Sequence, residues 1–260
     1  MEKYTLITGA SSGIGRAIAL AFARQGKNLI LIADKNKDGL FQTKELAFKE
    51  YEKAFGKIPA SYYECRTYIC DVADPAAASG LFDELGKEGC RIEVLINNAG
   101  ISCFSLIQDM SAETWQRVIN TNLNGAFYMC KGAIPDMIRE KKGRIINISS
   151  YWGIAGSSME SAYSASKGGL NAFTLSLAKE LKESGIYANA IACEFADTRM
   201  NSHLDEKEIK DALKGFPSGR VIRPEEIADM AVFLAGAECS VTGKILGMDA
   251  LELIKKGLYV

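Results

Sequence analysis

Short runs of branched apolar residues recur along the chain, and longer segments with helical periodicity separate them. Continuous apolar runs of this kind are typical of strands that are buried on both faces of a parallel sheet. Their alternation with helices predicts βαβ units with right-handed crossovers. We therefore expect an α/β fold, a doubly wound parallel sheet of about seven strands between two helical layers (αβα). The predicted strands are residues 4–8, 28–33, 66–70, 94–97, 144–149, 187–192 and 244–248.

The length of the chain fits one domain. With 260 residues and 48% hydrophobic composition it can bury one full core, so we expect a single domain over residues 1–260. Residues 35–64 and 197–218 are the most polar and irregular stretches. We interpret the second, extended to about residues 195–218, as a lid over an active site.

Charge and cysteine usage exclude several classes of protein. The 31 basic and 32 acidic residues nearly cancel, and no basic stretch is interleaved with aromatic residues. This argues against nucleic acid and anionic membranes as partners and favours small molecules and self-association. No apolar run reaches about 18 residues and no signal peptide is evident, so we expect a cytoplasmic protein. Scattered cysteines predict reduced thiols, and the single His203 predicts a surface residue.

A glycine-rich turn follows the first predicted strand directly. It reads TGASSGIG at residues 8–15 and opens a predicted helix at about residues 13–25. Its glycines allow close approach of a ligand, and the helix N-terminus offers N–H groups to a pyrophosphate. Alone, such a turn also fits a plain strand-to-helix connection. Asp34 ends the second strand 19 residues after Gly15, where a carboxylate accepts hydrogen bonds from the ribose of NAD. Together they predict a Rossmann-like dinucleotide site.

A second motif overlaps Asp34. Residues 34–45, DKNKDGLFQTKE, fit the EF-hand calcium loop D-x-D/N-x-D/N-G-x5-E. A helix must enter such a loop, whereas the preceding residues 28–33 predict a strand. We therefore favour the ribose role for Asp34 and predict no metal site, with calcium binding left as an alternative.

Several further motifs occur in a family's order. Asp71-Val72, Asn97-Asn98-Ala99-Gly100, Asn122 in INTNLNGAF, Ser150 in RIINISS and Tyr163-Ser-Ala-Ser-Lys167 follow the glycine turn. From about residue 4 to residue 247, the chain resembles the classical short-chain dehydrogenase/reductase family. The resemblance implies an NAD(P)-binding Rossmann fold. It implies that Asn122, Ser150, Tyr163 and Lys167 are catalytic and that the cofactor is bound by Gly9, Ser11, Ser12, Gly13, Ile14, Gly15, Asp34, Asp71, Val72, Asn98, Ala99, Gly100, Tyr163, Lys167 and Thr198.

The residue types suit acid–base chemistry. Tyr163 and Lys167 are four residues apart, so they share one helix face, and a nearby ammonium favours the phenolate. Tyr163 then donates a proton to the developing alkoxide while nicotinamide delivers hydride, and both transfers reverse in alcohol oxidation. Ser150 would orient and polarise the carbonyl oxygen. The resemblance further implies that Asn122 supports a water linking Lys167 to solvent.

The chain departs from the family after the sixth strand. Where Pro-Gly is usual, it carries Cys193-Glu194, although Thr198 matches the threonine that holds the carboxamide. The usual glycine pair near the C-terminus is also missing. A charged residue in place of glycine is expected to alter cofactor geometry or the substrates admitted.

These features predict an NAD(H)-dependent oxidoreductase acting on a secondary alcohol or ketone, with NADP less favoured. The alternatives are a 3-oxoacyl thioester reductase and a protein that senses NAD without turnover. The family resemblance suggests a homotetramer or dimer, with apolar helix faces such as Phe173, Leu177 and Leu181 available to a partner. A partly apolar substrate pocket, or equally core, is indicated by Cys103, Phe104, Trp152, Phe195, Met200 and Phe216.

Overall fold

Seven parallel strands form one sheet in the order β3-β2-β1-β4-β5-β6-β7. The computed structural model describes residues 2–57, 63–193, 196, 218–236 and 239–248. The predicted strands are confirmed, with ends shifted by three residues at most. Their bounds are β1 (Lys3–Thr8), β2 (Asn28–Ala33), β3 (Cys65–Ile69), β4 (Arg91–Asn97), β5 (Gly143–Ser150), β6 (Ile186–Cys193) and β7 (Ile245–Met248).

Helices connect the strands and cover both faces of the sheet. The described helices are α1 (Gly13–Arg24), α2 (Lys37–Phe55), α3 (Pro75–Lys87), α4 (Ala112–Ile119), α5 (Gly125–Glu140), α6 (Trp152–Ala155), α7 (Ser161–Glu180) and α8 (Pro224–Ala235). A π-helical turn at Asn120–Asn124 joins α4 to α5, and a 3₁₀ turn at Lys182–Ser184 follows α7. Helices α1, α2 and α8 pack on one face, whereas α3, α5 and α7 pack on the other. The predicted α/β fold with three layers is therefore confirmed.

The core lies on both faces of the sheet because the strands are apolar throughout. In β1, Ile7 joins the cluster beneath α1 and α8, whereas its neighbour Leu6 joins the cluster beneath α5 and α7. Successive side chains of a strand point to opposite faces, so a strand in the middle layer must be apolar at consecutive positions. Each fully buried Leu or Ile stabilises the fold by roughly 1.5–3 kcal/mol.

Helix α2 overlaps the calcium motif at residues 34–45. Asn36 caps this helix, its side-chain oxygen accepting a hydrogen bond from the Gly39 N–H at 2.9 Å. The backbone is helical from Lys37 onward, so it cannot wrap around an ion as an EF-hand loop does. Among the residues that the structure describes, no three His, Cys, Asp or Glu side chains are grouped to hold a metal. The helical backbone does not fit an EF-hand loop, because the capping residue starts a helix where the loop would have to turn.

Two general properties follow from the described chain. Within the described ranges, no helix combines the length and the apolar character needed to cross a membrane. All seven cysteines lie in these ranges and none forms a disulfide. Six of the seven thiols are buried, with Cys103 partly accessible.

Candidate active site

The carboxyl ends of the strands bring the predicted site residues to one edge of the sheet. The chain runs outward from β1 to β3 and then returns to β4 on the other side of β1. In such sheets ligands bind where the strand order reverses. The turn after β1, Asp34 after β2, Asn98 after β4 and Ser150 at the end of β5 all lie at this edge.

The glycine turn forms a tight cradle in front of α1. Gly9 has a φ of 65°, which favours glycine, and a Cβ on Gly15 would lie 2.3 Å from the Gly9 carbonyl oxygen. Ser12 is the N-cap of α1, yet its side chain makes no capping hydrogen bond. The first-turn N–H groups therefore remain available to an anion beside a backbone that only glycine permits. These features fit the pyrophosphate of a dinucleotide.

Thr8 fixes this cradle to the loop after β4. Its Oγ1 accepts hydrogen bonds from the backbone N–H groups of Asn98 and Ala99, both at 2.9 Å. The Asn98 side-chain amide donates in turn to the carbonyl oxygens of Thr8 and Gly9. The sequence interpretation included Asn98, Ala99 and Gly100 but missed Thr8, whose hydroxyl joins the two loops.

A groove of about 810 Å³ opens beside the glycine turn. Asp34 is half exposed next to it, and the Lys35 Nζ lies 3.7 Å from the Asp34 Oδ2. Within the groove Arg16, which sequence reasoning missed, donates to the Thr43 hydroxyl at 2.9 Å and to the Ser11 carbonyl oxygen at 2.6 Å. Its lining residues are Ser11, Ser12, Arg16, Asn36, Asp38, Gly39, Phe41, Gln42 and Glu45.

Asp71 and Val72 follow β3 at the same edge. The Asp71 carboxylate accepts a hydrogen bond from the Ala73 N–H at 2.9 Å and is exposed. Val72 is buried against Gly125, where an added Cβ would lie 2.9 Å from the Val72 Cγ2. This arrangement holds the loop in place and leaves the carboxylate free to face a ligand.

Asn122 lies in the π-helical turn and is buried. Its amide nitrogen donates to the Ile101 carbonyl oxygen and to the Ser166 hydroxyl, both at 2.9 Å, and its oxygen accepts from the Ile101 N–H at 2.8 Å. Both amide hydrogens are thus used within the protein. The amide thereby ties the loop after β4 to α7. The expectation that Asn122 supports a water linking Lys167 to solvent stays a prediction.

Ser150, Tyr163 and Lys167 meet beside this loop. Burial raises the pKa of Tyr163, and a hydrogen bond with the Ser150 side chain opposes that rise. Burial also lowers the pKa of Lys167, from its ordinary value of 10.5 to about 8. The Lys167 Nζ lies 5.6 Å from the centre of the Tyr163 ring and donates to the Ile148 carbonyl oxygen at 2.7 Å. Desolvation therefore sets the direction of the shift in the pKa of Tyr163, which keeps the phenol protonated at neutral pH. The expected effect of the ammonium on the phenol stays a prediction.

Cys193, at the departure from the family, is buried behind these residues. It pairs in register with Ser150 across β5 and β6, and its carbonyl oxygen accepts a hydrogen bond from the Tyr151 N–H at 2.9 Å. Burial raises the pKa of the thiol to about 12, so it is neutral. Of the predicted lid, only Ala196 and Ser218 lie in the described part of the chain. The predictions for Glu194, Phe195, Thr198, Met200, His203 and Phe216 fall outside the described residues.

Two residues that sequence reasoning missed join the loop after β4 to the start of α7. The Ser102 hydroxyl donates a hydrogen bond to the Glu160 carboxylate at 2.7 Å. Glu160 is the N-cap of α7, three residues before Tyr163, and this nearness in sequence is a signal that could have found it. Of the expected apolar residues nearby, Cys103 and Trp152 are partly buried and Phe104 is exposed.

Known proteins resemble the chain over nearly its whole length. A family model described as short chain dehydrogenase matches residues 3–209. The 3-oxoacyl-(acyl-carrier-protein) reductase FabG of Thermotoga maritima is 39% identical over 250 residues, which cover 95% of this chain and 96% of the relative. The human 3-oxoacyl-(acyl-carrier-protein) reductase is 36% identical, with 98% and 100% covered. An uncharacterised oxidoreductase of Bacillus subtilis, YmfI, is also 36% identical, with 96% and 98% covered.

Proposed function

Because the chain belongs to the short-chain dehydrogenase/reductase family, we propose that it is a reductase that uses NADH to convert 3-oxoacyl thioesters into secondary alcohols. The observation that carries the proposal is the meeting of Ser150, Tyr163 and Lys167 beside the glycine cradle. These residues belong to separate elements, β5 and α7, and the sheet edge brings them together. Such a constellation suits hydride transfer to a ketone better than binding alone.

The seat for the cofactor is formed by the loops at the sheet edge. Bound nicotinamide supplies the hydride that reduces the carbonyl carbon. The glycine turn would hold the pyrophosphate, Asp34 the ribose, and Asp71 with Val72 the adenine. The remaining residues assigned to the seat are Asn98, Ala99, Gly100, Tyr163 and Lys167, with Thr198 assigned to the carboxamide.

The proton comes from the protein. Burial keeps the Tyr163 phenol protonated at neutral pH, so it donates to the carbonyl oxygen as negative charge develops there. Ser150 orients that oxygen through its own hydroxyl, and Lys167 places a cation one helical turn from the phenol. Asn122 is a positioning residue, since it holds the loop after β4 against the helix that carries Tyr163 and Lys167.

The choice of a 3-oxoacyl thioester rests on the relatives. Two of the compared proteins are named as reductases of 3-oxoacyl groups and cover nearly all of this chain. The test is NADH oxidation by the purified chain with acetoacetyl-CoA and with cyclohexanone as substrates. We expect the thioester to give the higher kcat/KM. Tight NADH binding without oxidation by any ketone would favour the alternative of an NAD sensor.

We expect the enzyme to prefer NADH over NADPH by about tenfold or more in kcat/KM, or about 1.4 kcal/mol after screening. NADPH carries an extra phosphate on the ribose beside Asp34. Two such charges at 4 Å repel by about 4 kcal/mol at an effective dielectric near 20. Lys35 and Lys37 reduce this repulsion, as does Arg16 in the adjoining groove. Asp38 and Glu45 in the same groove add to it.

The measurement is steady-state kinetics with both coenzymes for the wild type, Asp34→Ala and Asp83→Ala. Asp34→Ala is expected to weaken the use of NADH and to narrow the gap between the coenzymes. Asp83→Ala, an exposed carboxylate on α3, is the control and should leave the ratio unchanged. Better turnover of NADPH than of NADH by the wild type would refute the ribose role of Asp34.

The expected self-association needs a corrected surface. Leu177 on α7 and Leu181 at its end are buried in the chain's own core, so they are not available to a partner. The outward apolar surface is instead Phe127 on α5 and Leu175 on α7, which are 45% and 37% exposed. Phe127 also contacts the partly buried Phe173 ring, with centres 6.3 Å apart. We propose that this surface is buried in a homodimer or homotetramer.

Light scattering at micromolar concentration checks this proposal. The wild type should have the mass of a dimer or tetramer, and Phe127→Lys should shift it to a smaller species because a buried ammonium is costly. Phe55→Lys is the control, since Phe55 on α2 is similarly exposed, at 49%, but lies on the other helical layer. A monomeric wild type would contradict the proposal.

A further inference from the structure

Glu160 lies directly before the helix that carries Tyr163. Its carboxylate accepts a hydrogen bond from the Ser102 hydroxyl at 2.7 Å, which joins the loop after β4 to the start of α7. In the described part of the chain, no lysine or arginine forms an ion pair with it. Within the described ranges the carboxylate is therefore held by a neutral hydroxyl and not by a cation.

The backbone around Glu160 is fixed as well. The Ser105 N–H donates to the Met159 carbonyl oxygen at 2.7 Å, and Ser105 and Glu160 form an isolated parallel bridge. Met159 has a φ of 62°, a left-handed conformation that is uncommon for a residue with a side chain. Such conformations persist where the surrounding structure imposes them, and they cluster at functional sites. The carboxylate is thus oriented by both its backbone and its side-chain partner.

Glu160 is also close to the reacting group. Glu160 is the N-cap of α7, and its carbonyl oxygen accepts the hydrogen bond of the Ser164 N–H at 2.8 Å, so it adjoins the first helical turn, which includes Tyr163. Burial is the main cause of the raised pKa of Tyr163, and the negative charge of Glu160 is a further cause. When a ketone substrate binds with its carbonyl oxygen at Ser150 and Tyr163, the substituents next to that carbonyl therefore lie within the electric field of the Glu160 carboxylate.

We propose that Glu160 is a specificity-determining residue that excludes ketones with a negative group beside the reacting carbonyl and admits neutral ones. The inference deepens the proposed function and rests on it, because a 3-oxoacyl thioester is neutral at this position whereas the free 3-oxo acid is an anion. The Glu160 carboxylate thus discriminates against the free 3-oxo acid by repelling its carboxylate, and not by a contact that only the thioester makes.

The test compares acetoacetate with ethyl acetoacetate, which share the ketone and differ in charge. Steady-state kinetics with NADH are measured for the wild type and for Glu160→Gln, which keeps the size of the side chain and an oxygen to accept from Ser102. The measured quantity is the ratio of kcat/KM for acetoacetate to kcat/KM for ethyl acetoacetate. This ratio should be about tenfold higher in Glu160→Gln than in the wild type. Glu183→Gln removes an exposed carboxylate just before β6, at the opposite edge of the sheet, and should leave the ratio unchanged.

A binding measurement separates this inference from the proposed function. Calorimetric titration of acetoacetate in the presence of NAD⁺, where no hydride is available, should give a Kd about tenfold lower for Glu160→Gln than for the wild type. Equal Kd values overturn the role of Glu160 whether or not the enzyme turns over. A lower Kd in the variant without NADH oxidation by either protein would support Glu160 and refute the reductase.

Discussion

Tyr163→Phe is expected to lower kcat by at least about 100-fold with acetoacetyl-CoA and NADH, because general acid catalysis contributes about that much at its low end. The substitution removes the hydroxyl that we propose as the proton donor and leaves the ring in place. Tyr163 is buried, so a smaller replacement would create a cavity, whereas Phe keeps the packing. The loss should appear in kcat while NADH binding is retained.

Tyr187→Phe serves as the control for the loss of a hydroxyl. Tyr187 lies near the amino end of β6, where its ring stacks on the Arg144 guanidinium at 4.1 Å, far along the strand from Cys193. Its activity should equal that of the wild type. If Tyr163→Phe kept a kcat within threefold of wild type, the assignment of the proton donor would fail.

The sequence predicted the fold well because parallel strands are apolar at consecutive positions. The run at residues 28–33 has no polar alternation, and it is β2 to the residue. Local patterns also predicted the cradle, since Gly9 and Gly15 occupy positions where backbone conformation or close approach requires glycine. The start of α2 was harder to see, because Asn36, which caps this helix, also matches a ligand position of the calcium motif.

The electrostatics of the site could not be predicted from spacing. Tyr163 and Lys167 share a helix face as expected, yet the net shift of each pKa depends on burial, which only the packing of α7 against β5 determines. Asn122 was predicted to be functional, but its hydrogen bonds with Ile101 and Ser166 link segments far apart in sequence. Glu160 was missed for the same reason, since Ser102 holds its carboxylate from another loop.

The buried ammonium of Lys167 should cost stability, and Lys167→Met should reveal this cost. Burial lowers its pKa from 10.5 to about 8. A base whose pKa is lowered by folding binds fewer protons in the native than in the unfolded state between these two pH values. The contribution of Lys167 to the free energy of unfolding therefore rises with pH from about 8 to 10.5 and is lowest below pH 8.

Denaturant unfolding of the wild type and Lys167→Met, without cofactor, at a series of pH values from 7 to 11 measures this effect. A shift of about 2.5 units corresponds to roughly 3 kcal/mol, so the stability of the variant relative to the wild type should fall by about that amount between pH 7 and pH 10.5. Lys167→Met also loses the hydrogen bond to the Ile148 carbonyl oxygen. This loss changes the difference in unfolding free energy between the two proteins by a constant amount and leaves its dependence on pH unchanged. Lys179→Met, at the C-terminal turn of α7, is the exposed control and should show no such slope. A difference that stays constant with pH would mean that Lys167 keeps its ordinary pKa in the folded protein.

The same variant should lose reductase activity at every pH, since Met places no cation near Tyr163. Together, greater stability at pH 7 and lost activity would indicate that the fold tolerates a buried charge because the reaction requires it.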